Sequence, residues 1–365
     1  MKANVRYILY SVLVFFGLSL TAIWIGYTIQ NSAPEDFRVF YESARAAFSG
    51  QSIYRTYGPI NLPYWYLPWL AWFYIPLGLF SYGTAYVLYV SVSILCAFFA
   101  VDHFCNEYIP TSDRSERLFI VGMALSMCWL LFRVGQMDFI LLAATGGMIY
   151  LIASNRGILA GAITPILLFK PHLYILYLPA ALYKGKKQFL LGSLTVCLAL
   201  IELSFLIIPD WPQQMLHMLA QSGQRTDNNW NFTTLPNMLG LQENWSGTAN
   251  LPFTILLILV GFALLWKFRS LGTYPLLSLA LAGSLFCAPR AYAYNFPLLI
   301  PAMIWICADW PKAIRFLFWL AAAILPFFFR FSSGTYLLVL AVFAAGLFKA
   351  QQTIQQTVSD VEHIR

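Results

Sequence analysis

Hydrophobic positions in this chain come in long unbroken runs. They show neither the alternation of half-buried strands nor the single stripe of soluble helices. Runs of about 20 apolar residues cross a bilayer as helices, and they recur here from end to end. The pattern predicts spans at roughly 7–29, 82–104, 118–133, 137–154, 157–169, 172–183, 188–208, 251–267, 272–287, 294–308, 315–329 and 335–349. The runs are continuous rather than alternating, which argues against a closed β-barrel. Two runs, 157–169 and 172–183, are short and meet at Lys170-Pro171. They read as a helix pair or as one broken re-entrant element. The segment 63–80 carries Pro63, Pro68 and Pro76 and reads as interfacial or re-entrant. The expectation is an all-α polytopic membrane protein with about 12 transmembrane helices. It forms one domain over residues 1–350, followed by a polar tail, 351–365.

Composition strengthens this reading. The chain is 60% hydrophobic and only 10% charged, far from a soluble domain's balance. The run from Tyr7 to Ile29 follows Lys2 and Arg6 and shows no small-residue cleavage site, so it reads as an uncleaved first span. The six cysteines include no CxxC, and the four histidines, His103, His172, His217 and His363, form no HExxH. No metal site and no cofactor is predicted. The net charge of +7 does not indicate a nucleic-acid partner, because the basic residues sit at helix ends rather than in one patch.

Charge also orients the chain. With the N-terminus inside, 14 of the 22 Lys and Arg fall on the cytoplasmic side, as the positive-inside rule requires. Both termini then face the cytoplasm, and the two longest loops, about 30–62 and 209–250, face outward. Of the outer minority, Arg133, Lys170, Arg290 and Arg330 each end a predicted helix. Four cations at one depth could converge on an anion, or each could snorkel to lipid headgroups.

Three acids and three arginines crowd the stretch from Ser32 to Arg55, "SAPEDFRVFYESARAAFSGQSIYR". Ser32-Ala33-Pro34-Glu35 has the form of a capping box with proline in the first turn. Phe37, Phe40, Tyr41, Ala44 and Phe48 then fall on one stripe, and Gly50 is placed to end the helix. The prediction is an amphipathic helix in the first outer loop, lying on the membrane surface. Asp36 in its first turn should stay ionised beside the helix N-terminus, where it could accept a proton from a hydroxyl. The plainer reading makes Glu35 and Asp36 ordinary first-turn acids. Arg38 and Arg45 read as headgroup contacts, Glu42 as a surface acid and Asp138 as a helix cap. Glu202 lies within a span, where a carboxyl is costly and often functional. In the loop 209–250, Asn228, Trp230 and Asn231 suit sugar hydroxyls and faces, or belong to an ordinary structured loop.

Several of these stretches share an order. Asp36 is followed by Tyr41, Gly50, Tyr54, Tyr66-Leu67-Pro68 and Pro76. Gly135-Gln136 then sits between two spans in "VGQMDFILLA". "GILAGAITPILLFKPHLYILYLP" supplies Gly161, Lys170, Pro171 and Pro179, and "CAPRAYAYNFPLLIP" follows. The set resembles glycosyltransferase family 87, the bacterial polyprenyl-phosphate-mannose-dependent mannosyltransferases of the GT-C class, over about residues 30–305. Departures from the family pattern are Leu67 in its "YPP" element, Ala288 in place of a serine and Asn295 in place of a histidine.

The resemblance implies a GT-C-like bundle and an integral membrane hexosyltransferase. It would move a sugar, mannose by the family's habit, from a polyprenyl phosphate to a glycolipid or envelope-glycan hydroxyl, with inversion. Asp36 becomes the general base. Lys170, then Arg290 and Arg133, become candidates for the donor phosphate; Arg330, outside the region of resemblance, joins them only as a cation at the same depth. Tyr41, Tyr54, Tyr66, Gln136, His172 and Tyr292 become candidate substrate contacts, and Asn228, Trp230 and Asn231, chosen on their side-chain chemistry, stand as acceptor-site candidates. A bacterial inner membrane and a non-cytoplasmic active site are implied in the same way. A phosphate is already a good leaving group, so metal-independent catalysis is expected. The competing readings are a secondary transporter or lipid flippase, and a lipid-linked glycan ligase or polymerase.

Overall fold

The computed structural model describes residues 34–59, 61–222, 251–288, 291–328 and 334–364. The predicted first span, Asn228, Trp230, Asn231, Arg290 and Arg330 lie outside these residues. The described chain is predominantly helical, with one two-stranded ribbon pairing Thr56–Tyr57 with Leu62–Pro63. Three of its helices are long and apolar enough to cross a membrane: Tyr82–Tyr108, Tyr177–Ile207 and a stretch over Leu337–Gln356. Shorter apolar helices include Asp138–Ala153, Thr273–Cys287 and Pro252–Lys267. This is an all-α membrane protein.

Helix starts follow local chemistry. The Ser81 hydroxyl accepts from the Thr84 N–H to open Tyr82–Tyr108, and Asp113 accepts from the Glu116 N–H to open Arg114–Met127. Breaks follow it too. Pro165 sits in the first turn of Thr164–Leu167, so the predicted span 157–169 is two short helices, Gly157–Ala162 and Thr164–Leu167. The predicted span 118–133 is likewise interrupted at Cys128, and 294–308 begins as a 3-10 turn, Ala293–Leu299, around Pro297. The predicted spans 172–183 and 188–208 form one run, Tyr177–Ile207, turning a corner at Lys186 (φ 55°, ψ −149°). The last helix continues through the polar tail to Ile364.

Burial sorts the helices. Thr273–Cys287 is buried on nearly every side, as is Ile300–Cys307, which is the signature of a helix at the centre of a bundle. Along Tyr177–Ile207, by contrast, Leu191, Leu198 and Leu206 are exposed. Those apolar side chains face outward as a lipid-facing wall would.

The Glu35–Phe48 helix is present but differs from expectation in two ways. Its N-cap is Pro34, two residues later than the cap pattern places the start, and Ser32 itself lies outside the described residues. Its end is as predicted: Gln51 N–H donates to Ala46 C=O at 2.9 Å and Gly50 N–H to Ala47 C=O at 3.2 Å, a Schellman turn with Gly50 at φ +66°. The helix is also not simply laid on a surface. Phe37, Phe40, Tyr41 and Ala44 are buried as the stripe predicted, but Phe48 is 67% exposed. Val39 and Ala46, off that stripe, are buried in a second cluster with Tyr57, Tyr64, Trp211 and Met218. The helix is a wedge between two packed surfaces. Its second cover comes from distant segments, including Trp211–Ser222, which no local periodicity reveals.

Ion pairs among the described residues gather at two ends of the molecule. Lys170 meets Asp138 at one end. Lys312 meets Asp113, Arg315 meets Glu116, and Arg117 meets Asp102 at the other. The two long loops meet as well: the Ser52 hydroxyl donates to Gln214 Oε1 at 2.7 Å.

Candidate active site

The site is assembled where the start of the Glu35–Phe48 helix rests on the turn at Gly135. Phe37 is inserted among Tyr82, Tyr86 and Tyr89, with ring centroids 4.9–5.6 Å away. Tyr82 donates its hydroxyl to Pro34 C=O at 3.0 Å. Tyr86 donates to Phe132 C=O, near the end of the Trp129–Val134 helix. Gly135 closes that helix in the left-handed conformation (φ +80°). A Cβ at this position would lie 2.4 Å from Phe37 Cβ and 3.0 Å from Pro34 Cβ. Only glycine lets the turn approach the helix so closely.

That approach puts Gln136 against Asp36. Gln136 Nε2 donates to Asp36 Oδ2 at 2.7 Å. Among the described residues Asp36 Oδ1 takes no hydrogen bond, and Asp36 keeps part of its surface open. Burial of the carboxyl pushes its pKa up from 3.8 to about 6. The Gln136 hydrogen bond and Lys170 oppose that rise, while the charges of Glu35 and Asp138 add to it.

Two residues beyond Gln136, Asp138 begins the Asp138–Ala153 helix with 0% exposure. Lys170 Nζ donates to Asp138 Oδ2 at 2.6 Å, and Asn295 Nδ2 donates to Oδ1 at 2.7 Å. Lys170 owes its position to Pro171. A residue before proline is driven out of the helical region, and Lys170 adopts φ −138°, ψ 65° between Thr164–Leu167 and the 3-10 turn Pro171–Tyr174. Its ammonium also lies 4.8 Å from the Tyr294 ring centroid. Tyr292 stacks on Tyr294 at 4.8 Å, and its backbone N–H donates to Asn295 Oδ1 at 2.8 Å.

Asp36, Gln136, Asp138, Lys170, Tyr292, Tyr294 and Asn295 thus gather from four separate segments. Tyr66 belongs with them. Its ring packs on Phe40 and Phe169, and burial, with the nearby Asp36 charge, raises its phenol pKa. The remaining candidates stand apart. Tyr41 donates to Phe80 C=O at 2.8 Å and Tyr54 to Tyr66 C=O at 3.0 Å, so both hydroxyls brace the scaffold. His172 is half-buried on the turn after Pro171. Arg133 is exposed, with its guanidinium 6.0 Å from the Trp129 ring, and does not join the network. Glu42 pairs with Arg38 at 3.7 Å, and Glu202 is exposed.

Residues 64–289 match the family model of glycosyltransferase family 87. The chain belongs to that family. No curated protein and no solved structure matches it. The matched span holds Tyr66, Gln136, Asp138 and Lys170. Asp36 lies before it and Asn295 after it, so their places in the site rest on geometry.

Sequence reasoning missed three members of the cluster, Asp138, Tyr294 and Asn295. The sequence presents Asp138 as a helix cap, yet the cap position is Met137 and no side chain bonds there. Asn295 was noted only as a departure from the family pattern. The available signal was an acid and a lysine at one depth in apolar surroundings, which usually means a pair. A second feature lies on another side of the Glu35–Phe48 helix. Arg38, Glu42 and Arg45, with Tyr41, Tyr82, Leu79 and Phe80, line an open groove of about 590 Å³. The Arg38 and Arg45 guanidiniums lie 5.0 and 5.8 Å from the Tyr82 and Tyr41 rings.

Proposed function

We propose that this membrane glycosyltransferase moves a hexose, mannose first among them, from a polyprenyl-phosphate donor to a lipid-linked or envelope-glycan hydroxyl. The observation that carries the reading is the Asp36 carboxylate, with one oxygen fixed by Gln136, the other open, and the Lys170 ammonium close enough to act on it. The acceptor hydroxyl approaches Asp36 Oδ1 and passes its proton there as its oxygen attacks the anomeric carbon. The carbon–oxygen bond to the lipid phosphate breaks on the opposite face, and the configuration inverts. Negative charge grows on the departing phosphate, and the N–H groups of Lys170 stabilise it as it grows. Tyr66, Tyr292 and Tyr294 flank the sugar with flat aromatic faces. A phosphate monoester leaves readily, so this route is written without a metal.

The reaction takes place at the membrane boundary on the non-cytoplasmic face. The arginines beside the groove hold that end of the protein to lipid headgroups.

Donor class is the direct test. Purified protein with a native lipid extract is offered labelled mannose, glucose, galactose or arabinose, either on a polyprenyl phosphate or on a nucleotide. Label should enter a new product from a polyprenyl-phosphate sugar alone. Transfer from nucleotide sugars, with none from lipid phosphates, would refute the reading.

A further inference from the structure

Asp138 has no part in the reaction written above. It is fully buried, and its side chain does not cap its own helix. Both of its oxygens reach other segments, to Lys170 at 2.6 Å and to Asn295 at 2.7 Å. Asn295 passes the connection on to the Tyr292 backbone at 2.8 Å. Gln136, two residues upstream on the same turn, fixes Asp36. One carboxylate therefore ties the Gly-Gln turn, the Lys-Pro break and the 291–299 segment to each other.

The Lys170 ammonium is unusual in what it leaves open. An ammonium has three N–H donors. Among the described residues only Asp138 accepts from it, although the side chain is just 7% exposed. Buried donors are rarely left unmet, because each unmade bond carries a desolvation cost. Two N–H groups of Lys170 are thus open to a ligand oxygen, beside the Tyr292 and Tyr294 rings.

The charge count is equally informative. With Asp36 ionised, the Asp36, Lys170 and Asp138 side chains carry one net negative charge. The leaving lipid phosphate approaches two at neutral pH. Lys170 does not meet it as a free cation, because Asp138 has already offset its charge. An unopposed buried ammonium would grip the product phosphate as tightly as the transition state, and such uniform binding slows turnover through product release.

We propose that Asp138 is a positioning residue, a built-in counter-ion that aims the Lys170 N–H groups at the donor phosphate and moderates their hold on the phosphate once it is free. This rests on the polyprenyl-phosphate reading of the site.

The test measures binding of geranylgeranyl phosphate to the purified full-length protein, with geranylgeraniol as the phosphate-free control. Wild type should prefer the phosphate. Asp138→Asn should bind the phosphate on the order of tenfold tighter, with affinity for the alcohol unchanged. In transfer, the same variant should lower KM for the donor and lower kcat together. Damage to the fold would weaken binding, so a gain in affinity separates the counter-ion role from a packing role. The double variant Asp138→Asn/Lys170→Met removes both charges at similar volume, which folds generally tolerate, and should lose the preference for phosphate. It reports on the proposal even where the single variant does not fold. Wild-type or weaker phosphate binding by an Asp138→Asn protein that melts as wild type does would overturn the proposal, as would a double variant that keeps the preference. A wild type that does not distinguish phosphate from alcohol would instead overturn the donor reading on which it stands.

Discussion

Asp36 must be ionised to accept a proton, yet its surroundings favour the protonated form. Burial sets its pKa near 6, with Glu35 and Asp138 pushing the same way and Gln136 and Lys170 opposing. In a pH–rate profile, kcat/KM should therefore fall about tenfold per unit below roughly pH 6. Gln136→Leu removes a hydrogen bond that favours the carboxylate, so that acid limb should move to higher pH. The same shift bears on stability. The folded pKa lies above the unfolded 3.8, so the group's contribution to stability is full below pH 3.8 and lost as pH rises through about 6. Asp36→Asn should then be inactive in transfer and melt no lower than wild type at pH 7.5. A lower melting temperature would show that the carboxylate is needed for the fold. The sequence places Asp36 in a helical first turn, and the family resemblance makes it the candidate base. It could not show the raised pKa, because the burial comes from a turn 100 residues away.

The turn at Gly135 is the element on which this geometry depends. Gly135→Ala meets both a left-handed backbone (φ +80°) and a Cβ position 2.4 Å from Phe37 Cβ. The backbone strain alone is on the order of 1–3 kcal/mol, and the contact can be relieved only by moving the helix that carries Asp36. Displacements of about 1 Å can reduce turnover by about 100-fold. The expected outcome is a modest drop in melting temperature with a much larger drop in kcat, read by thermal unfolding and transfer assays on one preparation. Turns and stops of this kind were legible in sequence. Gly50 ends its helix where the pattern put it, and Lys170-Pro171 breaks the chain where the two short runs meet. The helix's starting residue was not, because the first turn begins at Glu35, directly after Pro34. The second covered face of the Glu35–Phe48 helix also escaped, since it is made by Trp211 and Met218, remote in sequence.

Across the whole molecule, charge is concentrated at the two ends, with different tasks. At the end away from Asp36, Arg315 Nε donates to Glu116 Oε1 at 2.7 Å, and its Nη1 donates to the Trp310 carbonyl at 2.5 Å. Both side chains are buried. Glu116→Ala leaves that guanidinium without its counter-ion and should cost roughly 3–5 kcal/mol of stability, while the folded fraction binds geranylgeranyl phosphate as wild type does. The long apolar runs made the membrane class and the separation of charge readable from sequence alone. The partners were not readable, because Asp138 with Lys170, and Glu116 with Arg315, are brought together only by the packing of the bundle. The central claim is that Asp36 is the base of a lipid-phosphate-dependent glycosyl transfer. It is tested most directly by label transfer from radiolabelled polyprenyl-phosphate-mannose to a native lipid extract, wild type beside Asp36→Asn. The account predicts product with wild type and a loss of about 100-fold or more in the variant, with folding and donor binding retained. Equal transfer by both proteins would contradict it.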